Sequence, residues 1–250
     1  MNTVYLTTDD PIYLPSFFDR VLPARDEATS VFVVPPLYGT QSPVGAAWRY
    51  LRTFGGRATW GLATRVLRAK RRNQSIASVC AQHGVPCERV RDVNEPAFLE
   101  RLRLADTELI VSVSCPQIFK GPLIDLPASG CLNIHGAILP SYRGVMPSFW
   151  MLANGEQTAG VSIFFVNEDV DAGDLCGQEV FEIRATETLD EFVRRSKDIA
   201  AELLLDVLQK IDEGVVQRTP LDLAAGSYYS WPDRSAVRRF RLAGRRIWGH

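Results

Sequence analysis

The apolar run from Leu109 to Val113 most constrains what this chain can fold into. The run reads Leu-Ile-Val-Ser-Val and lies between polar residues. A strand covered on one face alternates apolar and polar residues, whereas a nearly continuous run is typical of a strand buried on both faces of a parallel sheet. Strand-like runs also alternate with helical patterns from the first residues onward. We therefore predict an α/β fold with a Rossmann-like, doubly wound and mostly parallel sheet, whose sites lie beyond the carboxyl ends of the strands.

The remaining pattern predicts one large domain followed by a short extension. Extended runs are predicted at 4–7, 30–34, 87–90, 130–134, 160–166 and 175–183, and helices at 14–22, 75–83, 95–105 and 188–213. From Val215 onward a proline, glycines and aromatic residues replace regular periodicity, which predicts an extended tail. We assign a main domain to residues 1–214 and a C-terminal extension to residues 215–250, which is too short to be a domain of its own.

Composition narrows the class of protein. With 250 residues and 46% hydrophobic content the chain can bury a full core, and its formal net charge of -1 gives no overall argument for a polyanionic partner. The five cysteines are odd in number, widely spaced and form no Cys/His ligand cluster, which predicts reduced thiols, no metal site and a cytoplasmic protein. The N-terminus has no signal pattern, and no apolar stretch approaches the roughly 18 residues of a membrane span.

Three polar residues predict the chemistry. Asn133 lies in the predicted strand at 130–134 and His135 directly follows it, and Asp171 lies in an acidic loop between the strands at 160–166 and 175–183. In an extended segment, residues i and i+2 point to the same side, so the Asn133 amide and the His135 imidazole are expected to project together. Acyl transfer to an amine needs a donor for the oxyanion and an acceptor for the amine proton. Asp171 would orient the ring and stabilise its charged form. The three residues predict an acyl-transfer enzyme.

The wider pattern, with Pro140, Tyr142-Arg143-Gly144 and Pro147, resembles the fingerprint of the formyltransferase family, closely over residues 109–183. The resemblance implies that Asn133, His135 and Asp171 are catalytic and that 10-formyltetrahydrofolate is the formyl donor. It also implies a slot for the flat pterin ring, formed by Gln117, Ile118, Phe119, Ile124, Val166, Glu168 and Val170. For Ile118, Phe119 and Ile124, the alternative is ordinary packing in the hydrophobic core. Ala137 stands where the family commonly has serine, which we expect to affect loop bonding more than chemistry.

The acceptor is predicted from differences between branches of that family. Glycinamide ribonucleotide formyltransferase has a glycine- and serine-rich phosphate loop where this chain has Thr8-Asp9-Asp10-Pro11-Ile12. Methionyl-tRNA formyltransferase carries a further tRNA-binding domain, for which residues 215–250 are too few. We expect a small-molecule amine, an amino sugar on a nucleotide diphosphate, as in the sugar N-formyltransferases. The alternatives are an amine on a peptide, antibiotic, lipid-linked precursor or methionyl-tRNA, and a non-catalytic folate-binding module.

Two segments are strongly basic. Residues 43–73 contain eight arginines and lysines and no acidic residue, with aromatic residues among them, and predict one or two helices broken at Gly55-Gly56. The tail carries six arginines between 234 and 246. A solvated basic face is one interpretation, and the others are contact with the diphosphate of the acceptor, with an anionic membrane surface or with nucleic acid, which is the least expected. Tyr228-Tyr229-Ser230-Trp231-Pro232 would either stack on a base or seal the core. The sequence leaves open whether the chain forms a homodimer.

Overall fold

A computed structural model describes residues 1–24, 29–35 and 42–249 of the chain. Its strands are β1 (Thr3–Thr8), β2 (Thr29–Val34), β3 (Cys87–Arg89), β4 (Leu109–Val113), β5 (Cys131–His135), β6 (Arg143–Gly144), β7 (Thr158–Phe165), β8 (Leu175–Glu182) and β9 (Tyr228–Tyr229). Its α-helices are α1 (Leu14–Val21), α2 (Pro43–Phe54), α3 (Gly56–Arg71), α4 (Ile76–Gln82), α5 (Pro96–Leu104), α6 (Gly121–Ile124), α7 (Pro147–Ala153), α8 (Leu189–Asp212) and α9 (Arg234–Leu242). No helix within these described ranges is long and apolar enough to cross a membrane.

Seven strands form one sheet in the order β3-β2-β1-β4-β5-β7-β8. The pairs from β3 to β5 are parallel, and β7 joins β5 and β8 in antiparallel fashion. The direction of winding reverses between β1 and β4, so their carboxyl ends open a crevice of the kind in which α/β proteins bind ligands. The predicted doubly wound, mostly parallel sheet is confirmed.

The hydrophobic pattern accounts for the packing around this sheet. All five residues of β4 are buried, as its continuous apolar run predicts. One face of the sheet packs against α1 and α8 through a cluster that includes Phe17, Phe18 and Leu204, and the other face packs around Phe98 of α5. Each such side chain contributes roughly 1.5–3 kcal/mol to stability through burial.

Side-chain caps set the starts of two predicted helices. The Ser75 hydroxyl accepts a hydrogen bond from the Ser78 N–H at 3.1 Å at the start of α4. Thr188 and Glu191 form a reciprocal capping box at the start of α8. Capping satisfies backbone N–H groups that have no partner within the helix, which is why both starts were predictable from sequence.

The tail differs from its prediction. It contains β9, which pairs with β6 in parallel, and α9, whose Ala236, Val237 and Phe240 are buried. Phe240 stacks on Phe149 of α7 with ring centroids 5.0 Å apart. The prediction of an extended tail is therefore wrong. Ala236, Val237 and Phe240 have the spacing of one side of a helix, but they stand among four arginines in nine residues, so the apolar content of α9 is low. The domain boundary at residue 214 stays a prediction.

Candidate active site

A cavity of about 570 Å³ opens beyond the carboxyl ends of β4 and β5. Asn133 and His135 of β5 both line it, as strand alternation predicts, and Asp171 reaches it from the loop between β7 and β8. The chain beyond β5 is fixed by Ser162 of β7. The Ser162 hydroxyl donates to the Ala137 carbonyl at 2.7 Å and accepts from the Leu139 N–H at 3.1 Å. The three predicted catalytic side chains thus meet in one site.

His135 is held in a defined orientation. Its Nε2 lies 2.8 Å from the backbone carbonyl oxygen of Tyr142. Because a carbonyl oxygen can only accept, Nε2 carries a proton and donates it. Nδ1 faces Asp171, with 3.6 Å between Nδ1 and Oδ2. The neutral ring therefore presents an unprotonated Nδ1 toward the carboxylate and the cavity, which is the position for a group that accepts a proton.

The Asp171 carboxylate is held by hydrogen bonds from β6 and β5. The Gly144 N–H donates to Asp171 Oδ2 at 2.8 Å, and the Asn133 amide donates to Oδ1 at 3.5 Å, the outer limit of a hydrogen bond. The backbone of Asp171 is left-handed, with φ at 51°. Such strain in a non-glycine residue is common at functional sites. Nearby, a Cβ at Gly173 would overlap the Phe165 carbonyl oxygen, so the loop requires glycine there.

The tail supports the segment that contacts His135 and Asp171. The Arg143 N–H donates to the Ser227 carbonyl at 2.9 Å, and the Val145 N–H donates to the Tyr229 carbonyl at 2.8 Å. The Tyr142 N–H donates to the Ser227 hydroxyl at 2.9 Å. The same short segment supplies the carbonyl bonded to His135 and the N–H bonded to Asp171. Sequence reasoning missed this support because the interacting groups are mostly backbone atoms.

The predicted pterin slot is largely brought together. Gln117, Ile118, Phe119, Val166, Glu168 and Val170 line the cavity. The Gln117 side chain is engaged in the fold, because its Oε1 accepts from the Val93 N–H at 2.8 Å and its amide donates to the Arg91 carbonyl at 2.7 Å. Ile118 is 66% exposed, so core packing is excluded for it, whereas Phe119 is buried.

Ile124 is the exception among the predicted slot residues. It does not line this cavity, and packs partly buried against the core cluster that contains Leu123 and Cys131. Ile124 belongs to the short helix α6, whose turn directs its side chain toward the core. The placement of Ile124 in the slot is therefore not supported. The folate-binding role of the other six residues stays a prediction.

A polar part of the cavity was not predicted. Lys197 of α8 lines it and donates to the Ser114 hydroxyl at 2.8 Å, with Ser112 and Ser196 also in the lining. Burial lowers the pKa of Lys197, and the nearby Asp10 carboxylate partly offsets this shift. The sequence carries a usable signal, because Lys197 lies three and four residues before the buried Ala200 and Ala201 of α8, and a lysine beside the apolar side of a helix needs a polar partner.

The aromatic segment of the tail divides between the two predicted roles. Tyr228 and Trp231 line the cavity. Tyr229 instead stacks on Tyr142, with ring centroids 5.1 Å apart, and seals that region. The Trp231 indole N–H donates to the Thr53 hydroxyl at 3.0 Å, and the Arg49 guanidinium lies 4.2 Å above the indole ring. The cavity wall is thereby joined to α2.

Most of the basic residues lie away from this cavity. Arg52 and Arg57 do not line it, so the structure gives no support for their predicted contact with a diphosphate there. Some arginines are used by the fold, since Arg65 lies 3.6 Å from Asp190 and Arg241 donates to the Phe54 carbonyl at 2.9 Å. Among the described residues, no group of three or more His, Cys, Asp or Glu side chains is arranged to hold a metal ion.

Sequence comparisons identify relatives of the chain. A family model described as Formyl transferase matches residues 63–208. A methionyl-tRNA formyltransferase from Moorella thermoacetica is 36% identical over 153 residues, which make up 61% of this chain and 49% of that protein. The corresponding enzyme from Ruminiclostridium cellulolyticum is 31% identical over 153 residues, with the same coverage of 61% and 49%. The chain thus spans about half the length of these relatives.

Structural comparisons give the same fold. A sugar N-formyltransferase from a Shewanella species has a TM-score of 0.60 and 18% identity, covering 92% of this chain and 76% of that one. Glycinamide ribonucleotide transformylase 1 from Symbiobacterium toebii has a TM-score of 0.61 and 17% identity, with coverages of 89% and 95%. An N-formyltransferase from Helicobacter canadensis, solved with folinic acid and dTDP-3-aminofucose, has a TM-score of 0.58 and 15% identity, with coverages of 92% and 71%. At these identities the likeness is one of fold.

Proposed function

The chain belongs to the formyltransferase family, and from this premise we propose that it is an N-formyltransferase that moves a formyl group from 10-formyltetrahydrofolate to a primary amine. The family model matches residues 63–208, a range that includes the cavity-lining residues of β4 and β5, the Asp171 loop and most of α8. The observation that carries the proposal is the arrangement of His135, whose Nε2 is held by a carbonyl and whose Nδ1 faces Asp171 inside the cavity.

The cavity suits the proposed donor. Its volume of about 570 Å³ falls within the usual range of small-molecule sites. Ile118, Phe119 and Val166 give apolar surface for a flat ring, and Glu168 lies beside them as a hydrogen-bond acceptor. The donor would bind along this wall, next to Asn133 and His135. Its formyl carbon would supply the electrophile, with the donor nitrogen as leaving group.

The residues of the site have separate tasks in this reaction. The Asn133 amide donates to the formyl oxygen as negative charge develops there, and preorganised donors of this kind lower the barrier. His135 Nδ1 accepts the proton that the amine loses as its nitrogen bonds to the formyl carbon, and the same proton can return to the departing nitrogen. Asp171 stabilises the charged ring. The 3.6 Å separation between Nδ1 and Oδ2 is long for a hydrogen bond, as is common before substrate binds.

Two substitutions test this assignment. His135→Asn and Asp171→Asn are expected to lower kcat by about a thousand-fold, because both groups act on the transition state, while the dissociation constant for 5-formyltetrahydrofolate changes little. Steady-state formylation of an amine and calorimetric folate titration measure the two effects.

A second histidine and aspartate pair provides a matched control. His83 and Asp19 lie 2.8 Å apart outside the site, so His83→Asn and Asp19→Asn should leave kcat within about two-fold of the unchanged protein. A kcat for His135→Asn equal to that of His83→Asn would overturn the catalytic assignment. Folate binding with no formylation of any amine by the unchanged protein would instead favour the non-catalytic module.

For the acceptor we propose an amino sugar carried by a nucleotide diphosphate. The Shewanella and Helicobacter canadensis proteins, which share the fold, are described as a sugar N-formyltransferase and as an N-formyltransferase bound to dTDP-3-aminofucose. In this chain, Tyr228 and Trp231 offer aromatic faces in the cavity lining, on which a nucleotide base can stack. Lys197 and Ser114 offer donors for hydroxyl or anionic groups at its other side. Arg49, stacked on Trp231, is the arginine of α2 best placed to meet a diphosphate.

A second acceptor, methionyl-tRNA, is favoured by sequence. Relatives that are 31% and 36% identical over 153 residues are described as methionyl-tRNA formyltransferases. Measuring kcat/KM for dTDP-linked amino sugars and for methionyl-tRNA under the same conditions distinguishes the two. A higher value for methionyl-tRNA would overturn the sugar proposal and leave formyl transfer intact.

A further inference from the structure

The exposed sides of α2, α3 and α9 form a surface, referred to as the basic face, whose side chains apart from Arg49 have no role in the proposed reaction. The three helices carry eleven arginines and lysines, two on α2, five on α3 and four on α9, and no acidic residue. Several of the cations are exposed and make no ion pair within the described part of the chain, among them Arg52, Arg57, Arg68 and Arg238. This face therefore attracts negatively charged partners.

The basic face also exposes large apolar side chains. Val44, Trp48, Trp60, Leu67 and Leu242 are between 49% and 76% exposed. Val44 and Trp48 lie one turn apart on α2, and Trp60 and Leu67 lie two turns apart on α3, so each pair projects from one side of its helix. Leaving tryptophan and leucine in water is unfavourable, and groups of such residues mark interaction surfaces.

Apolar and basic residues are mixed on this face. Between α2 and α9, Trp48 and Leu242 share a groove with Arg52, Arg238 and Arg241. Beside it, Trp60 shares a second groove with Arg57 and Arg65. No acidic residue lines either groove. Arg241 lines both grooves and bonds to the Phe54 carbonyl, which joins them into one surface. A partner must therefore accept tryptophan and leucine and neutralise arginine over the same area.

Charge and apolar exposure together select the occupant. A second copy of the chain in a two-fold dimer would bring this face against itself, and like charges would repel. Nucleic acid would neutralise the arginines but give little contact for Val44, Leu67 or Leu242. An anionic lipid bilayer satisfies both needs, because basic residues meet the headgroups while tryptophan and leucine enter the boundary with the acyl chains.

We propose that the basic face docks on the surface of an anionic lipid bilayer. Docking would bring the cavity close to the membrane, because Arg49 and Thr53 of α2 contact Trp231 in the cavity wall. The proposal does not depend on formyl transfer, since it rests on exposed side chains away from Asn133, His135 and Asp171. Lipid binding can therefore be observed even if the acceptor is not an amino sugar, and it can be missing even if the amino-sugar assignment is correct.

Co-sedimentation with vesicles tests the proposal. The full chain should sediment with vesicles of equal parts phosphatidylglycerol and phosphatidylcholine, and at least about ten-fold more weakly with phosphatidylcholine alone or in high salt. Arg52→Glu with Arg57→Glu should weaken binding to the anionic vesicles at least about ten-fold, and so should Trp48→Ser with Trp60→Ser. All four side chains are partly or largely exposed, so thermal unfolding should stay close to that of the unchanged protein.

A matched pair of changes on α5 is the control. Leu104→Ser with Arg103→Glu alters an exposed leucine and an exposed arginine elsewhere on the molecule and should leave vesicle binding unchanged. No binding to anionic vesicles, or an equal loss in this control, would overturn the proposal. RNA binding in a gel-shift assay would also overturn the proposal if it is tighter than binding to the anionic vesicles and if the tryptophan changes do not weaken it. The proposal would likewise be overturned if sedimentation equilibrium shows a dimer and the tryptophan changes dissociate it.

Discussion

Two hydrogen-bond acceptors face the His135 ring, and they determine which ring nitrogen carries a proton. The Tyr142 carbonyl requires a proton on Nε2, and the Asp171 carboxylate favours one on Nδ1. A neutral ring satisfies the carbonyl and leaves Nδ1 open, whereas a charged ring satisfies both. The ring can therefore gain and lose a proton at Nδ1 without turning. A proton acceptor that need not reorient suits a reaction in which the same proton is taken up and given back.

Lys197 is expected to bind the acceptor. Lys197→Met should raise the KM of the acceptor by about ten-fold or more with a smaller effect on kcat, because it removes a charge-assisted hydrogen bond. Because burial lowers the pKa of Lys197, the side chain loses its charge at a lower pH than an ordinary lysine, whose pKa is about 10.4. The KM of the acceptor should therefore begin to increase at a pH below that value. Steady-state kinetics across pH measure both effects. Lys210→Met, which removes a surface lysine paired with Asp206, should leave KM unchanged, and an unchanged KM for Lys197→Met would contradict the role.

Two cysteines are expected to differ in reactivity. Burial raises the pKa of the Cys115 thiol to about 11. Cys115 therefore stays protonated at pH 8 and should alkylate about a hundred-fold more slowly than an ordinary thiol, at a rate that rises with pH until about pH 11. A hydrogen bond from Cys80 lowers the pKa of Cys87, so Cys87 should alkylate first. Mass spectrometry after timed iodoacetamide treatment gives the order, and faster alkylation of Cys115 than of Cys87 at pH 8 would contradict the prediction.

Some site residues were predictable from sequence, and others were not. Asn133 and His135 were expected to share one side because strand alternation is a simple geometric rule, and both line the cavity. The Tyr142 carbonyl and the Gly144 N–H were not expected, because every residue has such backbone groups and sequence does not distinguish their use. The resemblance gave the position of Ile124 along the chain and not the direction of its side chain, which packs against the core cluster and does not line the cavity.

Among the secondary-structure elements, the pair of β6 and β9 has the largest expected effect on the site. These two-residue strands link the tail to the segment that contacts His135 and Asp171. Elements of this length carry too few residues for a periodic pattern, so neither strand was predicted. The longer strands and helices were predicted because continuous apolar runs and side-chain caps mark them. β6 and β9 adjoin the site, and the nine-residue helix α9, which was also missed, packs against α7.

Gly144→Ala is expected to disturb this strand pair. A Cβ at Gly144 would overlap the Tyr229 carbonyl oxygen and push β9 away, moving the N–H that bonds to Asp171. Turnover should fall by about ten-fold or more. Gly155→Ala is the matched control, because Gly155 also has a positive φ and nothing lies within 4 Å of its added Cβ. Both changes carry similar backbone strain, so equal turnover in the two variants would contradict the role of the strand pair.

Over the whole molecule, the tail is expected to unfold together with the sheet. Phe240 of α9 is 1% exposed and packs in the cluster that includes Phe149 and Phe192. Phe240→Ala should lower the free energy of unfolding by about 3–5 kcal/mol in a single transition followed by both circular dichroism and tryptophan fluorescence. Leu242→Ala, which truncates an exposed neighbour, should change it by about 0.5 kcal/mol or less. Two separate transitions would contradict the shared core and favour an independent tail.

The dependence of His135 on the tail has a consequence for biosynthesis. The Ser227 hydroxyl that holds the Tyr142 N–H lies 85 residues after it in the chain. The ribosome therefore completes β1 to β8 and α8, which ends at Asp212, before it adds Ser227, and amino-terminal structure tends to fold as it emerges. A nascent chain can complete the sheet while its histidine still lacks a fixed partner. Activity should accordingly appear late in synthesis, after Ser227 and Tyr229 have left the exit tunnel.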